Sequence, residues 1–148
     1  MTAVPCNIHG TAIVVGTTGL LFIGASGTGK SSLAYSCITD ARSQGLFSAL
    51  VADDQVFLSL AGSQVIAECP PAIAGMLELR GTGIVRLAHI SPALMHFAVM
   101  NADPSAAGRL PPEEDQIELL PRIFLPVIRV PATASNAFAL IRAKIDLK

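Results

Sequence analysis

Tryptophan is missing from the 148 residues, tyrosine occurs once, and aromatic residues together make up 5%. Platforms on which nucleic-acid bases could stack are therefore scarce. A net charge of −1 leaves no basic footprint for a polyanion, so no nucleic-acid partner is expected. Cysteine is limited to Cys6, Cys37 and Cys69, an odd set with no C-x-x-C pair and no metal-ligand spacing. These read as reduced small hydrophobes, which points to a cytoplasmic protein. An unbroken apolar run is lacking as well. Residues 10–29 carry no charge before Lys30, but Gly16, Gly19, Gly24, Gly27, Gly29 and the Thr17-Thr18 pair interrupt them too often for a membrane helix. The first five residues have neither the basic region nor the apolar core of a secretion signal, so no membrane partner is expected.

What the chain does have is apolar mass. Hydrophobic residues make up 51% and charged residues only 14%. That suits one domain, residues 1–148, with a large core. A mean hydropathy of +0.57 suggests that part of the apolar surface is buried against other copies, so a homo-oligomer is expected.

The rest of the chain is organised around Gly24-Ala25-Ser26-Gly27-Thr28-Gly29-Lys30-Ser31, which matches G-x-x-x-x-G-K-[ST] at every fixed position. The apolar run Leu20-Leu21-Phe22-Ile23 before it reads as a buried strand, and the residues from Lys30 onward open a helix. Glycine lets the backbone turn where other residues cannot and brings its N–H groups against a polyphosphate at the helix N-terminus. Lys30 then carries charge to the β- and γ-phosphates, and the Ser31 hydroxyl completes the shell of a bridging magnesium ion. ATP and Mg are the expected cofactors.

Upstream, Thr11-Ala12-Ile13-Val14-Val15 reads as a strand that turns at residues 16–19 into the strand feeding the loop. The helix is expected to run to Ala41 or Arg42. Residues 47–52 then form a strand that ends in Asp53-Asp54, where a magnesium ligand or a base for an attacking hydroxyl is needed. Residues 56–60 and 64–68 read as a small antiparallel flap around Ala61-Gly62-Ser63. In Leu77-Glu78-Leu79-Arg80, the two charges alternate with leucines and so share one side of an extended segment. Residues 94–100, 116–120 and 123–130 read as strands, with Pro126 at an edge or bend, and residues 101–108 as a mobile loop. A terminal helix is expected from residues 131–133 to Ile145, with Phe138, Ile141 and Ile145 on its core face. His89 and His96 read as structural residues in apolar surroundings.

Several of these pieces, taken in order, resemble the HPr serine kinase/phosphorylase family. They are His9-Gly10, the phosphate loop, Leu50-Val51-Ala52-Asp53-Asp54, Leu77-Glu78-Leu79-Arg80-Gly81-Thr82-Gly83-Ile84-Val85 and Arg109-Leu110. The resemblance spans nearly the whole chain and only the C-terminal catalytic domain of longer members, so a short form is expected. It implies an α/β fold: a P-loop kinase-like mixed sheet with an N-terminal hairpin and a C-terminal helix, of the PEP carboxykinase-like class. It implies transfer from ATP to a serine of HPr, a small phosphocarrier protein, and a hexameric assembly. Lys30 would act on the phosphates, and Ser31 with Glu78 on magnesium. Asp54 would be the base and Asp53 its metal-side neighbour, with the opposite assignment open. His9, Arg80 and Arg109 match active-site positions, Arg109 one linked to phosphate removal. Phosphorolysis would run the chemistry backwards with inorganic phosphate and yield pyrophosphate. Two departures stand out. The interval between Ser31 and Asp53 is longer than in the family. Pro131-Ala132-Thr133-Ala134-Ser135-Asn136 replaces a Pro-Gly-Arg-Asn segment, so the kinase half is better supported than the phosphorylase half. Two alternatives remain: a nucleotide-binding regulatory module without catalysis, and a P-loop kinase of a small molecule.

Overall fold

A short turn closes the N-terminal hairpin. Gly16 takes a positive φ of 62°, and the two strands it joins, β1 (Cys6–Val15) and β2 (Thr18–Phe22), pair antiparallel from Val15↔Thr18 to Thr11↔Phe22. The computed structural model describes residues 6–25, 29–102, 115–131 and 133–146. After the phosphate loop, α1 (Lys30–Ser43) buries Ala34, Cys37, Ile38 and Ala41, a stripe at helical spacing. It ends at Gly45, whose φ of 79° lets its N–H reach the Arg42 carbonyl at 3.0 Å.

The next strand departs from the sequence expectation. β3 (Ser48–Ala61) runs through Asp53 and Asp54 without ending there, and its second half pairs with β4 (Gln64–Glu68). The expected flap is therefore part of the main sheet. The cause is β1, which starts at Cys6 and not at Thr11, and so offers β3 a partner from Cys6↔Leu58 to Val15↔Ser48.

A small hairpin follows, formed by β5 (Met76–Leu79) and β6 (Gly83–Arg86). It alters the expected placement of Arg80. That residue sits in the turn, between Leu79 and a Gly81 with φ 83°, and among the described residues it makes no ion pair with Glu78. The run 94–100 also divides, into β7 (Ala93–Met95), which pairs with β4, and β8 (Phe97–Asn101), which pairs with β2. His96 is the joint: its N–H donates to Gly19 O at 2.8 Å, and its Nδ1 accepts from Gly19 N at 2.9 Å. Both His89 and His96 are exposed, His96 beside Val65, Leu94, Met95, Phe124, Leu125 and Pro126, and both make structural contacts. β9 (Gln116–Leu120) and β10 (Ile123–Val130) appear as expected. Pro126 faces β9, one residue before pairing with β8 begins at Val127. The terminal helix α2 (Ala137–Asp146) starts later than expected, after a turn in which Ala134 N donates to Pro131 O. Of the expected loop, residues 103–108 lie outside the described residues.

The eight-stranded sheet has the order β7-β4-β3-β1-β2-β8-β10-β9 and is antiparallel except where β8 lies parallel to β2 and β10. One face packs Ile13, Leu20, Phe22 and Leu50 against α1 and α2, where Phe138 and Ile141 are buried as expected. The other face closes on itself. Val65 of β4 and Leu125 of β10 belong to one cluster although four strands separate theirs in the sheet, so the sheet is curled. His9, Thr11 and Asp53 precede or follow the residues of the helix-covered face, at the end of the sheet where α1 begins.

Candidate functional site

Asp53 is the centre of the site. It is 7% exposed and takes three donors from three elements. Thr11 Oγ1 on β1 and Ser31 Oγ on α1 both donate to its Oδ1 at 2.8 Å, and the Glu78 N–H on β5 donates to its Oδ2 at 3.1 Å. A carboxylate is tolerated at this depth because each oxygen is bonded.

The neighbouring Asp54 reaches the same cavity by a backbone irregularity. Adjacent strand residues point to opposite faces, and a regular β3 would send Asp54 away from Asp53. Its φ of 72° breaks that alternation. Asp54 pairs across the ladder with Gly10, where a Cβ would come within 2.8 Å of the Phe22 carbonyl oxygen. Asp54 Oδ1 lies 3.1 Å from His9 Nδ1, and the two side chains are 66% and 47% exposed. One acid is therefore locked in and the other is open to solvent beside an imidazole.

The facing wall is the start of α1. Gly29 caps the helix in the left-handed conformation, with φ 86°, and among the described residues the helix start has no side-chain cap. Those groups and the helix dipole favour an anion there. Lys30 Nζ donates to the Ala25 carbonyl at 3.1 Å and lines the same cavity of about 350 Å³. Glu78 and Arg80 line it from the β5–β6 hairpin, with exposed side chains.

Of the residues selected from sequence, His9, Gly29, Lys30, Ser31, Asp53, Asp54, Glu78 and Arg80 all line this one cavity. Gly24 and Ala25 lead into the loop. Ser26, Gly27, Thr28 and Arg109 lie outside the described residues. Sequence reasoning missed Thr11, Ser32 and Gly81 as lining residues. Thr11 left a usable signal, being the one hydroxyl in an apolar strand segment and two residues beyond His9, hence on the same side. Among the described residues no group of three or more His, Cys, Asp or Glu is arranged to hold a metal alone.

The arrangement joins an anion-binding helix start, a lysine, two hydroxyls and an exposed carboxylate–imidazole pair, the parts needed for phosphoryl transfer to a hydroxyl. Comparison with known proteins leads the same way. An HPr kinase/phosphorylase of Bordetella petrii is 41% identical over 80 residues, which is 53% of this chain and 24% of the relative. One from Nitrosomonas europaea is 38% identical over 88 residues, 59% of this chain and 25% of the relative. The matched stretch is thus about a quarter of the length of these relatives. The structure of the Hpr(Ser) kinase/phosphatase from Coxiella burnetii superposes with a TM-score of 0.75 at 24% identity, over 96% of this chain and 95% of that one. The fold is therefore shared well past the stretch of strong sequence similarity. The model of the HPr Serine kinase C-terminal domain matches residues 2–92, which hold the hairpin, the phosphate loop, both aspartates and the β5–β6 hairpin, and the chain belongs to that family.

Proposed function

We propose that this chain is an ATP- and magnesium-dependent protein kinase that phosphorylates a serine of HPr, working in the cytoplasm as a homo-oligomer. The observation that carries this reading is the His9–Asp54 pair, 3.1 Å apart and solvent-accessible, in the same cavity as Lys30 and Ser31. A protein that only bound nucleotide would need the phosphate loop and no such pair. Its exposure suits an acceptor presented by another protein, where a small-molecule kinase would enclose its substrate. Among the described residues no helix is long and apolar enough to cross a membrane.

The donor set fits magnesium. Ser31 offers a hydroxyl whose proton is already directed to Asp53, Glu78 offers a carboxylate, and magnesium commonly takes one or two such hard oxygens together with phosphates. When bound, the ion would neutralise charge on the β- and γ-phosphate oxygens. Lys30 adds positive charge on the same oxygens, and the N–H groups at the start of α1 hold the polyphosphate in place. Asp54 takes the proton of the incoming serine, while His9 orients the carboxylate. In reverse, inorganic phosphate attacks the phosphorus of the serine phosphate, the bond from phosphorus to the serine oxygen breaks as pyrophosphate forms, and Asp54 passes the proton of the attacking phosphate to the serine oxygen. Arg80, exposed on the cavity rim, is the cation we assign to the second phosphate.

Incubation of the chain with HPr, magnesium and γ-labelled ATP tests this reading. Label on an HPr serine is the expected result. ATP consumed with HPr unlabelled would favour a small acceptor, and nucleotide bound without turnover would favour a regulatory module.

A further inference from the structure

We propose that Thr11 is a positioning residue for the metal: its hydroxyl fixes the Asp53 carboxylate that in turn aims Ser31. The inference rests on the magnesium-nucleotide reading above and adds a residue to it. Thr11 is 0% exposed and donates to Asp53 Oδ1, the same oxygen that accepts from Ser31 Oγ. A serine hydroxyl has one hydrogen and two lone pairs. With the hydrogen committed to Asp53, both lone pairs of Ser31 are left for a cation. That commitment requires Oδ1 to stay where it is. The Glu78 N–H holds the other oxygen and leaves the carboxylate free to swing about that contact, and the Thr11 bond from β1 removes this freedom.

Groups that orient a metal ligand in this way typically change metal affinity by about 10–100-fold when removed. Thr11→Val keeps the side chain's shape and deletes the donor, whereas Thr11→Ser keeps the donor and deletes a methyl. Calorimetric titration of ATP in the presence and absence of magnesium gives the readout for each protein, independent of turnover. For Thr11→Val the magnesium-dependent gain in ATP affinity should fall roughly 10-fold or more, with affinity in EDTA unchanged, and Thr11→Ser should restore most of it. In a Ser31→Ala background, Thr11→Val should cost nothing further, because the two residues act through one oxygen. Equal magnesium dependence in Thr11→Val and wild type would overturn the proposal, and so would a Thr11→Ser protein as impaired as Thr11→Val. If Thr11→Val does not fold, Thr11→Cys, a similar shape with a much weaker donor, takes its place. A wild type whose ATP affinity ignores magnesium would instead remove the metal reading itself.

Discussion

Asp54 shows how a single residue can be brought into a cavity at a cost to the fold. Its φ of 72° is a left-handed conformation that non-glycine residues adopt at a penalty of about 1–2 kcal/mol, set against its ladder pairing with Gly10 and the contact of its side chain with His9. Asp54→Gly should therefore be as stable as the wild type, or more stable by up to about 1 kcal/mol, in urea unfolding. Its transfer to HPr should drop by about 10²–10⁴-fold, the usual contribution of a positioned base. A clear loss of stability would mean that the His9 pairing outweighs the strain. Cys37 gives a second, unrelated test. Burial against the sheet, helped by the Asp40 charge and opposed by a Ser36 hydrogen bond, pushes its thiol from 9.0 up to about 12. Below pH 9 the thiol is protonated folded and unfolded alike and stability is unaffected. Between pH 9 and 12 only the unfolded chain loses the proton, so stability should fall by up to about 1.4 kcal/mol per pH unit. Cys37→Ala should flatten that part of the alkaline slope, and identical slopes in the two proteins would refute the assignment. Much of the site was legible at this scale. Lys30, Ser31, Asp53 and Asp54 belong to motifs in which spacing implies chemistry, whereas the bond from Thr11 joins residues 42 apart and left only a hydroxyl in an apolar run as its trace.

At the scale of elements, sequence reading placed most strands and erred where pairing partners decide the boundaries. Residues 53 and 54 look like a strand end because two adjacent acids rarely continue a strand, yet β1 extends back to Cys6 and carries β3 past them. Likewise, nothing local in residues 94–100 predicts a break, which arises because β7 and β8 join different neighbours around His96. Gly19, the partner of His96, is where this can be tested. A Cβ there would lie 1.8 Å from the Leu94 carbonyl oxygen and 2.7 Å from Met95 Cε, so the backbone of β7 would have to move. Gly19→Ala should cost about 2 kcal/mol or more in urea unfolding, at the upper end for overpacking, because the clashing atom is backbone and not a flexible side chain. An unchanged midpoint would show that the approach of β2 to β7 is looser than these distances indicate.

For the molecule as a whole, the two apolar cores, one under the helices and one inside the curl, account for much of the hydrophobic composition. Phe47, Ile84 and Phe124 remain more than half exposed, which leaves apolar surface for the proposed assembly. The site lies where β1, α1, β3 and β5 converge, so a ligand that binds there bridges elements far apart in the chain and should stabilise them together. A ligand bound only by the folded state at about 100 times its dissociation constant adds about 2.7 kcal/mol, and for a domain of this size that corresponds to a rise in Tm on the order of 5–10 °C. ATP with magnesium should produce such a rise in the wild type. Lys30→Ala should melt at nearly the wild-type temperature without ligand, because among the described residues its ammonium makes one hydrogen bond, an exposed one to Ala25 O, and should lose most of the rise. Glu78→Gln should respond to ATP in EDTA as the wild type does and lose the magnesium-dependent increment alone, since its N–H still holds Asp53 when its carboxylate is gone. If Glu78→Gln kept the full increment, its carboxylate would be a solvated charge on the cavity rim, and Ser31 alone would be the chain's ligand to the metal.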